Sequence, residues 1–223
     1  TNGTDYTKVI SGRSYEYSRK YKLKVKLFIK QLQNDISLSL TKMDLFVSKQ
    51  FLYLTNKFIK DFNIDSSKVD YIGLSGQTVF HNPKNKKTIQ LGSCKEIQKK
   101  LNIKIVGNFR ENDIKNGGQG APIGAFYHQY LTNKLNKIAF INLGGISNIC
   151  FSYKKKLIAF DLGPGNALID DFIWIRLKKN FDKNGNLSFK GKVDDSILEE
   201  FLNDNFFIKK YPKSLDREYF NHF

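Results

Sequence analysis

The chain has 223 residues, of which 40% are hydrophobic and 14% aromatic; this is enough apolar surface for a packed core and excludes wholesale disorder. The formal net charge of +16 raises the question of nucleic-acid binding. The lysines are scattered over every segment and no recognition motif accompanies them, so we expect no nucleic-acid partner and keep a basic nucleic-acid-binding module only as the weakest alternative.

Helices and strands alternate along the first half of the chain. Helical spacing of apolar residues, or a capping box at Ser93, predicts three helices, at 21–32, 47–62 and 93–101. Short apolar runs predict two strands, at 69–74 and 103–106. The polar residues 75–78 are expected to form the turn that ends the first of these strands.

In the second half, three predicted strands lie between predicted helices. Apolar runs predict strands at 138–143, 149–151 and 157–160. Helical patterns cover 127–135, 168–175 and 196–202. Strands that alternate with helices predict an α/β architecture. The polar stretch around 133–137 is the only plausible boundary, so two domains are expected, 1–133 and 134–223.

The two cysteines, Cys94 and Cys150, lack any C-x-x-C or Cys/His spacing. They are therefore expected to be reduced thiols, and metal chemistry through Cys or His has no support. No apolar run approaches the roughly 18 residues of a membrane span, and no signal-peptide pattern opens the chain. A cytoplasmic location without a membrane partner is the default expectation.

Four glycine-containing turns lie at the ends of predicted strands or in the loops that follow them. Strand ends form the ligand crevice of open α/β sheets, and glycine lets backbone N–H groups approach phosphate or sugar. Ordinary turns, which need glycine for local reasons, remain the alternative. No Walker motif, dinucleotide fingerprint or G-x-S-x-G elbow occurs. The turns are 73–78, 117–122, 142–148 and 161–166.

Asp161 poses the sharpest question in the sequence. It follows the apolar run 157–160 and precedes the run Leu-Gly-Pro-Gly-Asn at 162–166. A carboxylate that leaves a buried strand into a glycine turn is either a turn-former or a positioned catalytic group. The local pattern leaves both interpretations open.

Seven motifs, in the same order along the chain, resemble the anhydro-N-acetylmuramic acid kinase family of the actin-like, sugar-kinase and heat-shock-protein ATPase superfamily. The resemblance covers nearly the whole chain, and the seven ordered motifs make it specific. The motifs are GQTVFHNP at 76–83, QLG at 90–92, FREND at 109–113, GGQGAP at 117–122, NLGGISN at 142–148, FDLGPGN at 160–166 with Asp170, and the late pattern at 213–221.

The resemblance implies a two-domain actin-like ATPase (ribonuclease H-like) fold and an enzyme, a phosphotransferase with an alcohol acceptor. Such enzymes open the 1,6-anhydro ring of anhydro-N-acetylmuramate with water and transfer the ATP γ-phosphoryl group to O6. The product, N-acetylmuramate 6-phosphate, belongs to amino-sugar metabolism and peptidoglycan recycling in the cytoplasm. ATP and Mg²⁺ are the implied cofactors, the sugar and ATP the partners, and a homodimer is compatible with the family.

The resemblance also implies the site residues. Asp161 corresponds to the general base that activates the attacking water. Of the two interpretations of this acid, the resemblance therefore favours the positioned catalytic group. The positions implied for substrate binding are Gln77, Thr78, Arg110, Asp113, Gly118 and Gln119. The positions implied for phosphate binding are Asn142, Gly144, Gly145, Gly163, Gly165 and Asn166. No residue is expected to hold a metal.

The chain also departs from the family pattern. Ser75 stands where His is usual, Asn108 where Asp is frequent, and Leu215-Asp216 replace Thr-Gly in the late motif. The family's first phosphate loop and a long C-terminal portion have no counterpart. The expectation is therefore an internal fragment, incomplete at both ends and inactive alone. The alternative is a non-catalytic sugar- or muropeptide-binding paralogue.

Overall fold

The structure is a computed structural model that describes residues 6–132, 138–154, 156–217 and 219–220. The chain divides into two compact units, Thr1–Gly120 and Ala121–Phe223. Both units mix helices with β-strands, which confirms a mixed α/β architecture. The domain boundary that the sequence predicts, after residue 133, lies outside the described residues and stays a prediction.

The first unit confirms the predicted helices and strands and adds a hairpin and a short helix, α4, that the sequence did not predict. Strands β1 and β4 pair in parallel, while β2 and β3 form an antiparallel hairpin. The described elements are α1 (Arg19–Asn34), α2 (Thr41–Asp61), β1 (Tyr71–Leu74), β2 (Gln77–Asn82), β3 (Lys87–Leu91), α3 (Cys94–Leu101), β4 (Lys104–Gly107) and α4 (Glu111–Lys115).

One prediction for this unit is wrong. Gln77 and Thr78 do not belong to a loop after β1 but begin strand β2. The physical reason is Gly76, whose φ of +70° turns the chain directly into the new strand, where Gln77 and Thr78 pair with β3.

The core of the first unit lies between α1, α2 and the hairpin. Ser18 caps α1 by accepting a hydrogen bond from the Tyr21 N–H at 3.2 Å. Ser93 caps α3 in the same way, through the Glu96 N–H. The buried residues that these helices and the hairpin share are Tyr21, Val25, Leu32, Met43, Val47, Val79 and Leu91.

Polar side chains of α2 fix the connection between β3 and α3. Asp44 Oδ1 accepts a hydrogen bond from the Gly92 N–H at 2.7 Å. Ser48 Oγ, 4 residues further along the helix, accepts one from the Ser93 N–H at 2.8 Å. These contacts set where β3 ends and therefore where the residues paired with it lie.

The second unit is built on an antiparallel meander, in the order β5-β6-β7. Its buried core includes Phe206, Leu215 and Phe220. None of the described helices in either unit is long and apolar enough to cross a membrane. The described elements are α5 (Ala125–Thr132), β5 (Ala139–Leu143), β6 (Ile146–Tyr153), β7 (Lys156–Pro164), α6 (Asn166–Leu177), α7 (Asp195–Leu202) and α8 (Asn205–Ile208).

Strand β7 is longer than the sequence predicts. The predicted strand ends at residue 160, whereas β7 runs on to Pro164 and includes Asp161. The extension forms because β6 reaches back to Ile146 and offers partners to the added residues, with a register shift beside Asn148. The predicted helix over 127–135 is found as α5 up to Thr132, and its last three positions lie outside the described residues.

Candidate active site

The glycine-rich loop after α4 is held by hydrogen bonds at Gly118 and Gly120. Asp113 Oδ2 accepts a hydrogen bond from the Gly120 N–H at 2.6 Å, and Arg110 Nη1 donates one to the Gly120 carbonyl at 2.6 Å. The Gly118 N–H donates to the Asp113 carbonyl at 2.8 Å. Arg110 precedes α4 and Asp113 lies in its first turn, so the helix start brings both side chains to the same loop.

Close packing explains why this loop needs glycine. Gly120 has φ of +64°, and a Cβ added there would lie 2.7 Å from Ile114 Cδ1. A Cβ on Gly118 would overlap the Asp113 carboxylate. The G-G-Q-G sequence therefore lets the loop fold tightly against α4. Gln119, between the two glycines, is partly buried.

The other two predicted sugar-binding residues lie on β2. Gln77 and Thr78 are partly buried, and Gln77 Nε2 donates to the Thr78 carbonyl at 3.2 Å. Gln77 pairs with Leu91 and Thr78 with Gln90 on β3, and α4 lies beside β3. Thus β3 connects this pair to the loop that Arg110 and Asp113 hold.

The Gly144–Gly145 turn of the second unit is bonded to the start of α6. The turn joins β5 to β6 and its carbonyls point at the first N–H groups of the helix, which otherwise have no intrahelical partner. The hydrogen bonds are Asn166 N to Gly144 O at 2.8 Å, Gly165 N to Gly145 O at 2.9 Å, Ala167 N to Gly145 O at 3.2 Å, and Asn166 Nδ2 to Leu143 O at 3.1 Å.

These bonds divide the predicted phosphate-binding residues into two groups. Asn142, Gly144 and Gly145 form the hairpin tip, where Asn142 and Gly145 are exposed. Gly165 and Asn166 donate backbone hydrogen bonds to the tip. A Cβ on Gly165 would overlap the Gly144 carbonyl. Gly163 is buried on β7, and its carbonyl accepts a hydrogen bond from Ser147 Oγ at 3.0 Å.

Asp161 is a buried carboxylate, 6% exposed, on β7 opposite Asn148. Its Oδ2 accepts a hydrogen bond from the Leu215 N–H at 2.8 Å, and its own N–H donates to the Lys213 carbonyl at 3.0 Å. A backbone segment more than 50 residues away along the chain therefore orients this acid. The sequence signal for it is the late Lys-Ser pattern at 213–214, to which sequence reasoning attached no role.

A second group of charged residues includes two carboxylates on α6 and Arg217 beside them. Arg217 Nη1 lies 2.8 Å from Asp171 Oδ2. Burial raises the pKa of the adjacent Asp170, and the nearby Asp171 carboxylate raises it further, while Arg217 opposes the shift. Asp170 accompanies the 160–166 motif and Arg217 belongs to the late pattern at 213–221, but the sequence alone gave no reason to pair their elements.

Within the described ranges, no group of three or more His, Cys, Asp or Glu residues could hold a metal ion. The described residues thus offer the buried carboxylate of Asp161 and exposed backbone at the Gly144–Gly145 turn. Such a turn presents N–H groups that suit phosphate, and a fixed carboxylate suits proton transfer. Phosphoryl-transfer enzymes use groups of both kinds, which place phosphate and stabilise its charge.

Comparison with known proteins shows which family the chain belongs to. The family model described as anhydro-N-acetylmuramic acid kinase matches residues 3–223. The chain belongs to the anhydro-N-acetylmuramic acid kinase family.

Curated relatives agree with this assignment. A Rhodopseudomonas palustris protein called anhydro-N-acetylmuramic acid kinase is 43% identical over 167 residues, which are 73% of this chain and 46% of the relative. A Legionella pneumophila protein of the same name is 35% identical over 187 residues, 82% of this chain and 51% of the relative. One from Rhizobium johnstonii is 36% identical over 183 residues. The chain spans about half the length of the curated relatives it matches.

Proposed function

We propose that the protein acts as an anhydro-N-acetylmuramic acid kinase, coupling ATP-dependent phosphorylation at O6 to hydrolytic opening of the 1,6-anhydro ring. The product is N-acetylmuramate 6-phosphate, as in peptidoglycan recycling. The observation that carries the proposal is the family match over residues 3–223, within which Asp161 is a buried, oriented carboxylate.

In this proposal Asp161 is the general base. It takes a proton from a water molecule whose oxygen attacks the anomeric carbon, C1. The bond from C1 to the bridging O6 breaks, and O6 then attacks the γ-phosphorus while ADP leaves. Support comes from the backbone hydrogen bonds to Lys213 and Leu215, since a fixed carboxylate can hold a water within reach of a sugar carbon.

The phosphates of ATP are proposed to lie at the Gly144–Gly145 hairpin, near Asn142. The two glycines carry no side chain that would keep phosphate away from the backbone. Gly163, Gly165 and Asn166 then act by supporting the hairpin, since the amide groups of Gly165 and Asn166 already donate to it. Mg²⁺, when bound, would neutralise phosphate charge.

The sugar is proposed to contact Gln77, Thr78, Arg110, Asp113, Gly118 and Gln119. A loop whose peptide groups are already fixed by Arg110 and Asp113 keeps its remaining donors and acceptors in one arrangement. Preorganised polar groups of this kind bind sugar hydroxyls at low entropic cost. We propose that Arg110 and Asp113 act mainly through the shape of this loop.

The wider assignments follow from the family. The actin-like two-domain ATPase fold, a cytoplasmic location and a homodimer are proposals of this kind. The cytoplasm suits an enzyme that consumes ATP. The sugar and ATP are the proposed partners, and the dispersed positive charge suits attraction of these anions rather than nucleic acid.

The test is an isotope experiment with the protein expressed from its complete reading frame. Purified protein is mixed with MgATP and 1,6-anhydro-N-acetylmuramic acid in H₂¹⁸O, and the reaction is quenched before the reducing sugar exchanges its anomeric oxygen. The proposal predicts one ¹⁸O on C1 and none in the phosphate on O6. Label in the phosphate, or phosphorylated sugar with the anhydro ring intact, would contradict it.

The alternative is a non-catalytic sugar- or muropeptide-binding paralogue. The same preparation distinguishes it by calorimetric titration with the anhydro sugar. Binding of the sugar with neither ADP release nor labelled product would establish the paralogue and refute the kinase.

A further inference from the structure

The 206–215 segment, which runs from α8 to Leu215, is the part of the chain that orients Asp161. The Asp161 N–H donates to the Lys213 carbonyl at 3.0 Å. The Leu215 N–H donates to Asp161 Oδ2 at 2.8 Å. One bond holds the backbone of Asp161 and the other holds its carboxylate, so this segment contacts both parts of the residue.

Aromatic contacts join the same segment to β7 on both sides of Asp161. The ring of Tyr211 stacks on Phe160, with 5.1 Å between centroids. The ring of Phe207 packs on the backbone of Gly163, where an added Cβ would lie 3.1 Å from Phe207 Cε1. The 206–215 segment is therefore docked along β7 and not only at the two hydrogen bonds.

Lys213 holds this segment together from within. The side chain is buried, and its Nζ donates to the Phe206 carbonyl at 2.9 Å and to the Phe207 carbonyl at 3.5 Å. The ammonium also lies 4.3 Å from the centroid of the Phe206 ring. These carbonyls belong to α8, whose last carbonyls have no partner within the helix. The ammonium thus connects the beginning of the 206–215 segment to residue 213.

We propose that Lys213 is a positioning residue for Asp161. The ammonium connects residue 213 to the Phe206 and Phe207 carbonyls of α8. This connection keeps the Leu215 N–H in the position from which it orients the Asp161 carboxylate. This assignment rests on the proposed function, in which Asp161 is the general base. In this proposal Lys213 acts through its contacts with Phe206 and Phe207 and not by direct contact with substrate.

Loss of the ammonium has a defined consequence. The Phe206 and Phe207 carbonyls would lose a charged donor in a buried place, which favours opening of the segment. The Leu215 N–H would then no longer hold Oδ2 in one position. A misplacement of about 1 Å in a reacting group can cost about 10²-fold in rate.

The experiment compares Lys213→Met and Lys213→Arg with the control Lys210→Met, in the protein expressed from its complete reading frame. Lys210 is an exposed lysine of the same segment. Lys213→Met is expected to lower kcat about 10–100-fold with little change in KM for sugar or ATP, because the base is misplaced while binding is kept. Lys213→Arg, which keeps the cation and its donors, is expected to restore most of kcat.

Amide hydrogen exchange at Leu215, followed by NMR, gives a second measurement that needs no substrate. Lys213→Met should speed this exchange at least about tenfold, since local opening exposes the amide, and Lys210→Met should leave it at the wild-type rate. If Lys213→Met is insoluble, Lys213→Gln, which retains a neutral donor, should change kcat and exchange in the same direction by less.

Unchanged kcat and unchanged Leu215 exchange in Lys213→Met would overturn the proposal. So would a loss of activity that only follows the loss of folded protein, or an equal effect of Lys210→Met. A wild-type protein without ring-opening activity would refute the proposed function instead. The Leu215 exchange rates would then decide by themselves whether Lys213 holds the segment.

Discussion

Gly165→Ala should detach the Gly144–Gly145 hairpin from α6. The added Cβ would overlap the Gly144 carbonyl and lie 3.3 Å from the Gly145 carbonyl oxygen. Normal contact is about 3.5 Å, so the hairpin must move by roughly 1 Å. Such a shift breaks or weakens the hydrogen bonds that the first residues of α6 donate to the hairpin.

The magnitude follows from the number of bonds lost. Two or three backbone hydrogen bonds at about 0.5–1.5 kcal/mol each predict a loss of roughly 1–4 kcal/mol in the free energy of unfolding. The matched control is Gly145→Ala, whose Cβ would make an ordinary contact, 3.6 Å from Ala167 Cβ. The control should change stability by less than about 0.5 kcal/mol.

Urea unfolding followed by fluorescence measures both variants. Trp174, the single tryptophan, lies on α6 and reports the unfolding of the second unit. Equal urea midpoints for Gly165→Ala and wild type would refute the steric argument, as would an equal loss in Gly145→Ala. The control also tests the phosphate site, because a methyl group on the exposed tip should weaken binding of MgATP.

Three further predictions concern other parts of the molecule. Gly120→Ala should cost about 1–3 kcal/mol more than Gly117→Ala in urea unfolding, because both positions have positive φ but only the former Cβ meets Ile114; equal losses would contradict this. Burial raises the pKa of Tyr21 to about 12, so the folded state favours the neutral phenol. Ionisation of Tyr21 therefore costs no stability below about pH 10 and destabilises the folded state as pH rises through 12. In the described part of the chain its buried hydroxyl has no hydrogen-bond partner, so Tyr21→Phe should stabilise at neutral pH by up to about 1–3 kcal/mol and reduce the alkaline loss, unlike the exposed-site control Tyr53→Phe. Mixed-sequence DNA should bind weakly, with affinity that falls steeply with salt; sequence-specific binding at about 0.15 M salt would overturn the interpretation of the charge.

Local patterns in the sequence predicted most helices and strands of this fold. The stripe that includes Tyr21 and Val25, and the cap at Ser93, depend on neighbours within one or two turns, and the structure confirms them. The β2–β3 hairpin escaped prediction because Gln77 and Thr78 are polar residues after a glycine, a pattern equally typical of a loop. Strand pairing, which the local pattern does not contain, decides between the two.

In the candidate site, too, the sequence reveals contacts between residues that are close in the chain but not contacts between distant ones. Arg110 and Asp113 precede the glycines at 117–120 by only a few residues, and their hydrogen bonds join them to that loop. The contact of Asp161 with Leu215 spans 54 positions, so no spacing rule reaches it. The predicted strand also ends too early, at residue 160, because the last residues of β7 are extended only through their partners on β6.

The central claim is that Asp161 is the base that opens the anhydro ring. The most direct measurement is the single-turnover rate of ring opening by Asp161→Asn, at saturating sugar and MgATP, in the protein expressed from its complete reading frame. Asn keeps an oxygen that can accept from the Leu215 N–H, so folding should be retained while the rate falls about 10²–10⁴-fold. A wild-type rate, or a loss that only matches the fraction of unfolded protein, would contradict the claim.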